Sequence, residues 1–255
     1  ETLVDDGMNL IIGVGYTMAD DIKTQAENYP DVNFALIDET YDEIPSNVKS
    51  VLFESEQASY LVGLIAGKMN ETKNVGFIGG LDIPVINTFK YGYMAGVKAA
   101  DANCEIQAQY ANSFNDQAKG KAITNQMISK GADVVFTAAG DVGTGSMEAI
   151  KEANKYGIGV DRDQSDLAPQ NILTSAIKRV DVGMYETVKE LVEGKFQGGI
   201  STTYGLEQNG IGIADTTSNL VPQDVLDFVN EKIEELKAGK ISVPKTEEEY
   251  NEFIK

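Results

Sequence analysis

Histidine and tryptophan are absent from this 255-residue chain, and there is a single cysteine. Without histidine the chain lacks the commonest general base and the commonest metal ligand. One cysteine, Cys104, excludes an intrachain disulfide and any zinc site built from several thiolates. It follows Ala102–Asn103 just before a strand, where a small buried side chain is expected. Basic residues are scarce, 21 against 40 acidic, for a net charge of −19. Such a chain is repelled by phosphate backbones and has no local Lys/Arg cluster, which argues against nucleic acid and anionic membrane as partners. No apolar run reaches about 18 residues, so no membrane-spanning helix is expected. Residue 1 is Glu, so a processed or partial chain is expected, with any export signal outside it.

An ordinary apolar content of 42% supports a folded core, in one large domain or two modest ones. The pattern within it is a repeated alternation of β and α. In KNVGFIGGLDIPVINTF (73–89), a short β-forming run leads into small residues and then into an amphipathic helix beginning at Pro84. That order of elements marks a buried parallel strand, whose carboxyl end is where open α/β sheets bind ligands. Strands are expected at 10–13, 34–38, 48–53, 75–79, 106–110, 134–137, 158–160, 172–177 and 210–214. The helices between them are expected at about 19–28, 57–69, 88–100, 117–130, 146–156 and 182–194, the last capped by Asp181. Gly198–Gly199 and Thr202–Gly205 read as a hinge. Pro222 opens a final helix to about Ala238, and a charged, partly frayed tail (246–255) ends the chain. Two doubly wound, parallel-sheet lobes result: 1–72, with 203–245 returning to it, and 73–202.

The strand-to-helix turns hold the candidate chemistry. Gly13-Val-Gly15 lacks the third glycine of a dinucleotide fingerprint and is better explained by a tight turn. Tyr110–Asp116 sets Phe114 among polar residues; the ring stacks on a planar ligand or folds over the end of the sheet. Asn112 or Asp116 should cap the next helix. Ala138–Gly145 is rich in glycine but has no Gly-Lys-Ser/Thr ending, so it is not a triphosphate loop. Gly157–Gln164 carries Asp161, Arg162 and Asp163. A carboxylate here accepts two hydrogen bonds from a vicinal diol, joins its neighbour in acid/base or metal chemistry, or merely caps a turn. Extended backbone would place Asp161 and Asp163 on one side. Lys178-Arg179 follows the strand at 172–177 and is free to support a ligand or pair with a carboxylate.

In this order GFIGGLDIPV, YANSFNDQAKGKA, FTAAGDVGTG, GVDRDQ and LTSAIKRVDV resemble the basic membrane protein family, substrate-binding lipoproteins of ABC importers. The resemblance runs from residue 1 to about 245. It implies a type I periplasmic-binding-protein fold, an α/β fold of two lobes that close on a purine nucleoside (adenosine, guanosine or inosine). It further implies an extracytoplasmic, lipid-anchored protein that serves an ABC permease, performs no catalysis and needs neither cofactor nor metal. On the matched motifs Asp161 would hold the ribose hydroxyls, and Asp82, Phe114, Gly140 and Lys178 would line the second lobe, with Phe114 against the base. Tyr16 and Glu56 are assigned to the first lobe. Family members have a further βα unit before this chain's first residue, so the first lobe is expected to be incomplete. Asp141 stands where the family usually has glycine. Two other readings are a regulatory domain of the same fold and a nucleoside hydrolase using Asp161 and Asp163.

Overall fold

The computed structural model describes all 255 residues, which divide into two compact units. Unit 1 comprises Glu1–Glu54 and Arg179–Gly210; unit 2 comprises Ser55–Lys178 and Ile211–Lys255.

Unit 1 carries β1 (Leu10–Val14), β2 (Asn33–Ile37) and β3 (Val48–Phe53), with helices α1 (Thr2–Asp5) and α2 (Ala19–Asn28). α7 (Val180–Val192) and β9 (Ile200–Tyr204) complete it. The sheet order is β1-β2-β3-β9, parallel throughout. Alternation along the strands separates two apolar layers. Phe34, Leu36 and Val48 pack with Ile22 and Ala26 of α2. On the other face Ile37, Val51 and Tyr204 meet Val180, Val182 and Met184 of α7.

Unit 2 contains α3 (Ser55–Met69), β4 (Asn74–Gly79), α4 (Pro84–Ala100), β5 (Glu105–Tyr110), α5 (Gln117–Ser129) and β6 (Val134–Ala138). α6 (Asp141–Glu152), β7 (Tyr156–Asp161), β8 (Ile172–Lys178), β10 (Ile211–Ile213), α8 (Gln223–Lys237) and α9 (Glu247–Phe253) follow. The order β10-β8-β7-β6-β4-β5 reverses direction at β4, the kind of switch point at which open α/β sheets bind ligands. Phe77 and Phe136 pair across β4 and β6, and their rings pack with Tyr93 and Phe89 of α4. Their neighbours Ile78 and Val135 belong instead to the cluster with Met127 of α5 and Met147 of α6, so each strand is buried on both faces.

Four expectations need correction. The first boundary falls at residues 54/55 rather than near 72, because α3 packs backbone to backbone on α4. A Cβ at Gly63 would lie 2.3 Å from the Tyr93 carbonyl oxygen, and one at Gly92 2.4 Å from that of Glu56. The C-terminal stretch 211–255 belongs to unit 2, where β10 runs antiparallel to β8 on an otherwise parallel sheet. The stretch read as a hinge holds β9, a mostly exposed Thr-rich edge strand paired with β3. The charged tail forms α9, stopped at its start by a capping box between Thr246 and Glu249. Its Tyr250 is buried and packs on Tyr91 of α4.

Candidate functional site

The carboxyl ends of β4 to β8 bring together five of the seven candidate residues. The Gly80 N–H donates to the Ala138 carbonyl at the switch point, and the Ser113 N–H donates back to the Gly80 carbonyl. The Phe114 ring lies over Gly80 so closely that a Cβ there would be 2.2 Å from ring carbon Cε1. Gly140 flanks the same residue: its φ of +57° lies in the left-handed region, and a Cβ would come 2.8 Å from the Phe114 carbonyl oxygen. Two glycines are therefore needed here, one for the ring and one for the backbone turn. The Asp141 N–H then donates to that same carbonyl at 2.8 Å, tying the start of α6 to the Phe114 loop. Asp116 caps α5 by accepting from the Lys119 N–H at 3.0 Å.

Asp161 ends β7 with a φ of +66°, a conformation that non-glycine residues rarely adopt and that re-aims the side chain off the strand. Its Oδ1 lies 3.3 Å from Lys178 Nζ at the end of β8; the lysine is 10% exposed and the carboxylate 55%. The ammonium also sits 5.8 Å from the centre of the Phe89 ring. A buried cation thus backs a carboxylate that remains accessible. Asp82, in the loop between β4 and α4, accepts from Asn87 Nδ2 at 2.9 Å. Tyr110, at the end of β5, donates its hydroxyl to Asn87 Oδ1. Burial, and after it the Asp82 charge, push the Tyr110 phenol up.

The remaining candidates lie elsewhere. Tyr16 is an exposed residue of unit 1, in the short turn of helix that follows β1. Glu56, expected in the first lobe, opens α3 in unit 2; it is buried and ion-paired at 3.2 Å with Lys245. Asp163 does not share a side with Asp161, because the strand stops at 161 and the chain turns into a short helical turn at 165–167. Burial raises the Asp163 pKa, but the Ser165 N–H and the Thr216 hydroxyl, bound at 2.9 and 2.7 Å, outweigh it and hold the carboxyl below its ordinary value. It is a structural acceptor. Asp181 likewise lies inside the first turn of α7 rather than at its cap, and takes a two-pronged bond from Arg179. Asn87 was missed by the reading of the sequence. Its only signal was a polar side chain one turn into α4, five residues from Asp82.

No helix is long and apolar enough to cross a membrane. A family model described as "ABC transporter substrate-binding protein PnrA-like" matches residues 1–247. Basic membrane protein D of Borreliella burgdorferi is 37% identical over 99% of this chain and 76% of its own length. An ABC transporter solute-binding protein from Aeropyrum pernix superposes with a TM-score of 0.86 at 28% identity, covering 98% of this chain and 81% of that one. A structure described as a transcriptional activator of the comK gene from Bacillus halodurans gives 0.79 at 28% identity, over 92% and 80%. With its switch-point loops and its match over nearly the whole length, the chain belongs to the PnrA-like substrate-binding proteins of ABC transporters, an extracytoplasmic family of solute carriers and not of enzymes.

Proposed function

We propose that this chain captures a purine nucleoside on the loops at the carboxyl ends of β4 to β8 and delivers it to an ABC permease. The observation that carries the reading is Asp161: an accessible carboxylate turned off its strand and backed by Lys178. Such a group accepts two hydrogen bonds from a vicinal diol, as on ribose. Phe114, laid over Gly80, offers a ring for the base, a contact that contributes about 1–3 kcal/mol where bases stack on aromatic side chains. Gly140 lets a ligand approach the backbone closely, and Asp82 adds an acceptor. Glu56 has its structural partner in Lys245 and is given no ligand. A nucleoside is uncharged, so binding it adds no ionic group to desolvate beside a protein of charge −19. In this reading a lipid anchor outside residues 1–255 keeps the protein at the outer face of the cell membrane.

Isothermal titration with adenosine, guanosine and inosine, and with free ribose and riboflavin as controls, tests the proposal. Saturable heat with at least one nucleoside and none with the controls is expected. Heat with riboflavin alone would replace the cargo; heat with none of them would remove it. The likeness to the comK activator structure favours one further reading, a ligand sensor of the same fold. That reading requires a protein partner whose affinity changes on adding the same nucleoside.

A further inference from the structure

Asn87 carries no role in the site as proposed, yet its amide is held at both ends. Its Nδ2 donates to Asp82 Oδ1 at 2.9 Å, and its Oδ1 accepts from the Tyr110 hydroxyl. The three side chains form a chain of hydrogen bonds, Tyr110 to Asn87 to Asp82, across the end of β5, the first turn of α4 and the loop after β4. Reversing the amide would set an oxygen against the carboxylate and lose that bond, because an ionised carboxylate only accepts. The carboxylate therefore fixes the sense of the amide, Tyr110 holds the amide in place, and the amide holds Asp82. The Lys90 ammonium lies 5.2 Å from the centre of the Tyr110 ring and 4.7 Å from that of Tyr91, holding the phenol in place from behind. Asp82 itself is exposed at the carboxyl end of the sheet, so its carboxylate remains open to a ligand.

We infer that Asn87 and Tyr110 are positioning residues that lock Asp82 as a hydrogen-bond acceptor, and that the locked carboxylate selects among purines. The inference rests on the nucleoside reading above. A carboxylate offers only acceptors. Guanine presents two adjacent donors, N1–H and the 2-amino group, which match its two oxygens. The 6-oxopurine of inosine presents N1–H alone. Adenine has a lone pair at N1, which the second oxygen repels. The expected order of affinity is guanosine, then inosine, then adenosine. A freely rotating carboxylate would lose part of this preference, because ordering it costs free energy at the moment of binding.

Titration calorimetry on the full chain, with wild type, Asn87→Leu, Asn87→Gln and Tyr110→Phe, tests it. Wild type should bind guanosine about tenfold or more tighter than adenosine, the discrimination expected of a hydrogen bond to a charged group. In Asn87→Leu and Tyr110→Phe the ratio should fall to about threefold or less, while Asn87→Gln, which keeps an amide, retains more of it. A purely structural role would weaken all three nucleosides alike and leave the ratio where it was. Should Asn87→Leu fail to fold, the nearly isosteric Tyr110→Phe decides. Nucleoside binding without a preference for guanosine, or a preference unchanged in the folded variants, overturns this inference and leaves the nucleoside reading standing. No binding of any nucleoside overturns both.

Discussion

Gly96 of α4 lies so near the Tyr60 carbonyl oxygen of α3 that a Cβ would sit 2.1 Å from it. The contact is reciprocal in kind, since Gly63 of α3 faces the Tyr93 carbonyl of α4. Gly63/Gly67 and Gly92/Gly96 are each four apart, so one small-residue stripe on each helix lets the two backbones touch. Gly96→Ala or Gly63→Ala forces the helices apart and should destabilise the protein by about 1–3 kcal/mol or more, the range for overpacking a tight core. Gly212→Ala, with nothing within 4 Å of the added methyl, is the control and should stay within about 0.5 kcal/mol. Urea unfolding midpoints measure both. Equal midpoints for all three variants would mean that α3 and α4 do not pack as described.

Asp161 gives a prediction specific to the sugar. Asp161→Asn keeps the size of the side chain but removes a charged acceptor. It should weaken inosine by about 10–100-fold, as expected for losing hydrogen bonds to a charged group. A ligand without the diol, 2′,3′-dideoxyinosine, should bind wild type and variant about equally, because the interaction exists only when both partners are present. A similar loss with the dideoxy ligand would place the Asp161 effect outside the diol.

These two cases show how unevenly the molecule could be read from its residues. Strands buried on both faces were legible, because runs such as VGFIG and VVFTA have no polar side to present and end in small residues. β9 was not, since an exposed edge strand of Ser and Thr flanked by glycine has the composition of a loop. The unit boundary was hidden for a different reason: it depends on which neighbour α3 packs against, and a glycine stripe signals close packing without naming the partner. α6 begins at Asp141, five residues before the expected start, because Gly143 and Gly145 read as loop. A Cβ at Gly145 would lie 1.8 Å from the Gln117 carbonyl, so that glycine serves helix contact instead. In the site, Asp82, Phe114, Gly140, Asp161 and Lys178 lie at or just after the carboxyl ends of strands, but it was the resemblance to the family, not that position, that marked them as ligand residues. Asn87 is held by Tyr110, 23 residues on, and Lys245 pairs with Glu56 near the other end of the chain, and no spacing reveals either contact.

Burial makes the protein sensitive to alkali. It raises the Cys104 thiol from 9.0 to about 11 and the Tyr41 and Tyr60 phenols from 10.0 to about 12, and it holds the fully buried Tyr93 phenol well above its ordinary value. Between the unfolded and folded values the unfolded chain carries fewer protons, so stability falls as pH rises through that window. The fall should begin near about pH 9, where the exposed thiol of the unfolded chain titrates, and steepen above about 10 as tyrosines join it. Urea midpoints should decline monotonically over this range, with tyrosinate absorbance at fixed pH jumping on unfolding. A flat profile from about pH 8 to 11 would contradict the burial of these groups. Cys104 should also resist a thiol reagent at neutral pH until the protein unfolds.

In unit 1 Lys49 lies in the middle of the sheet, 2% exposed, with its ammonium 2.5 Å from Glu190 Oε2 of α7. The strand turns this side chain to the same face as Val51, against α7, and leaves it almost wholly buried. Loss of the acid leaves a buried charge uncompensated, whereas loss of both charges leaves only apolar packing. Glu190→Leu should therefore cost about 3 kcal/mol, somewhat eased because the acid itself is one-third exposed. Lys49→Met should be nearly neutral or stabilising, and the double variant should recover most of what Glu190→Leu loses. Urea unfolding of the four proteins gives the coupling directly. If the two single variants are equally destabilised and their effects add, Lys49 and Glu190 are not acting as a buried pair.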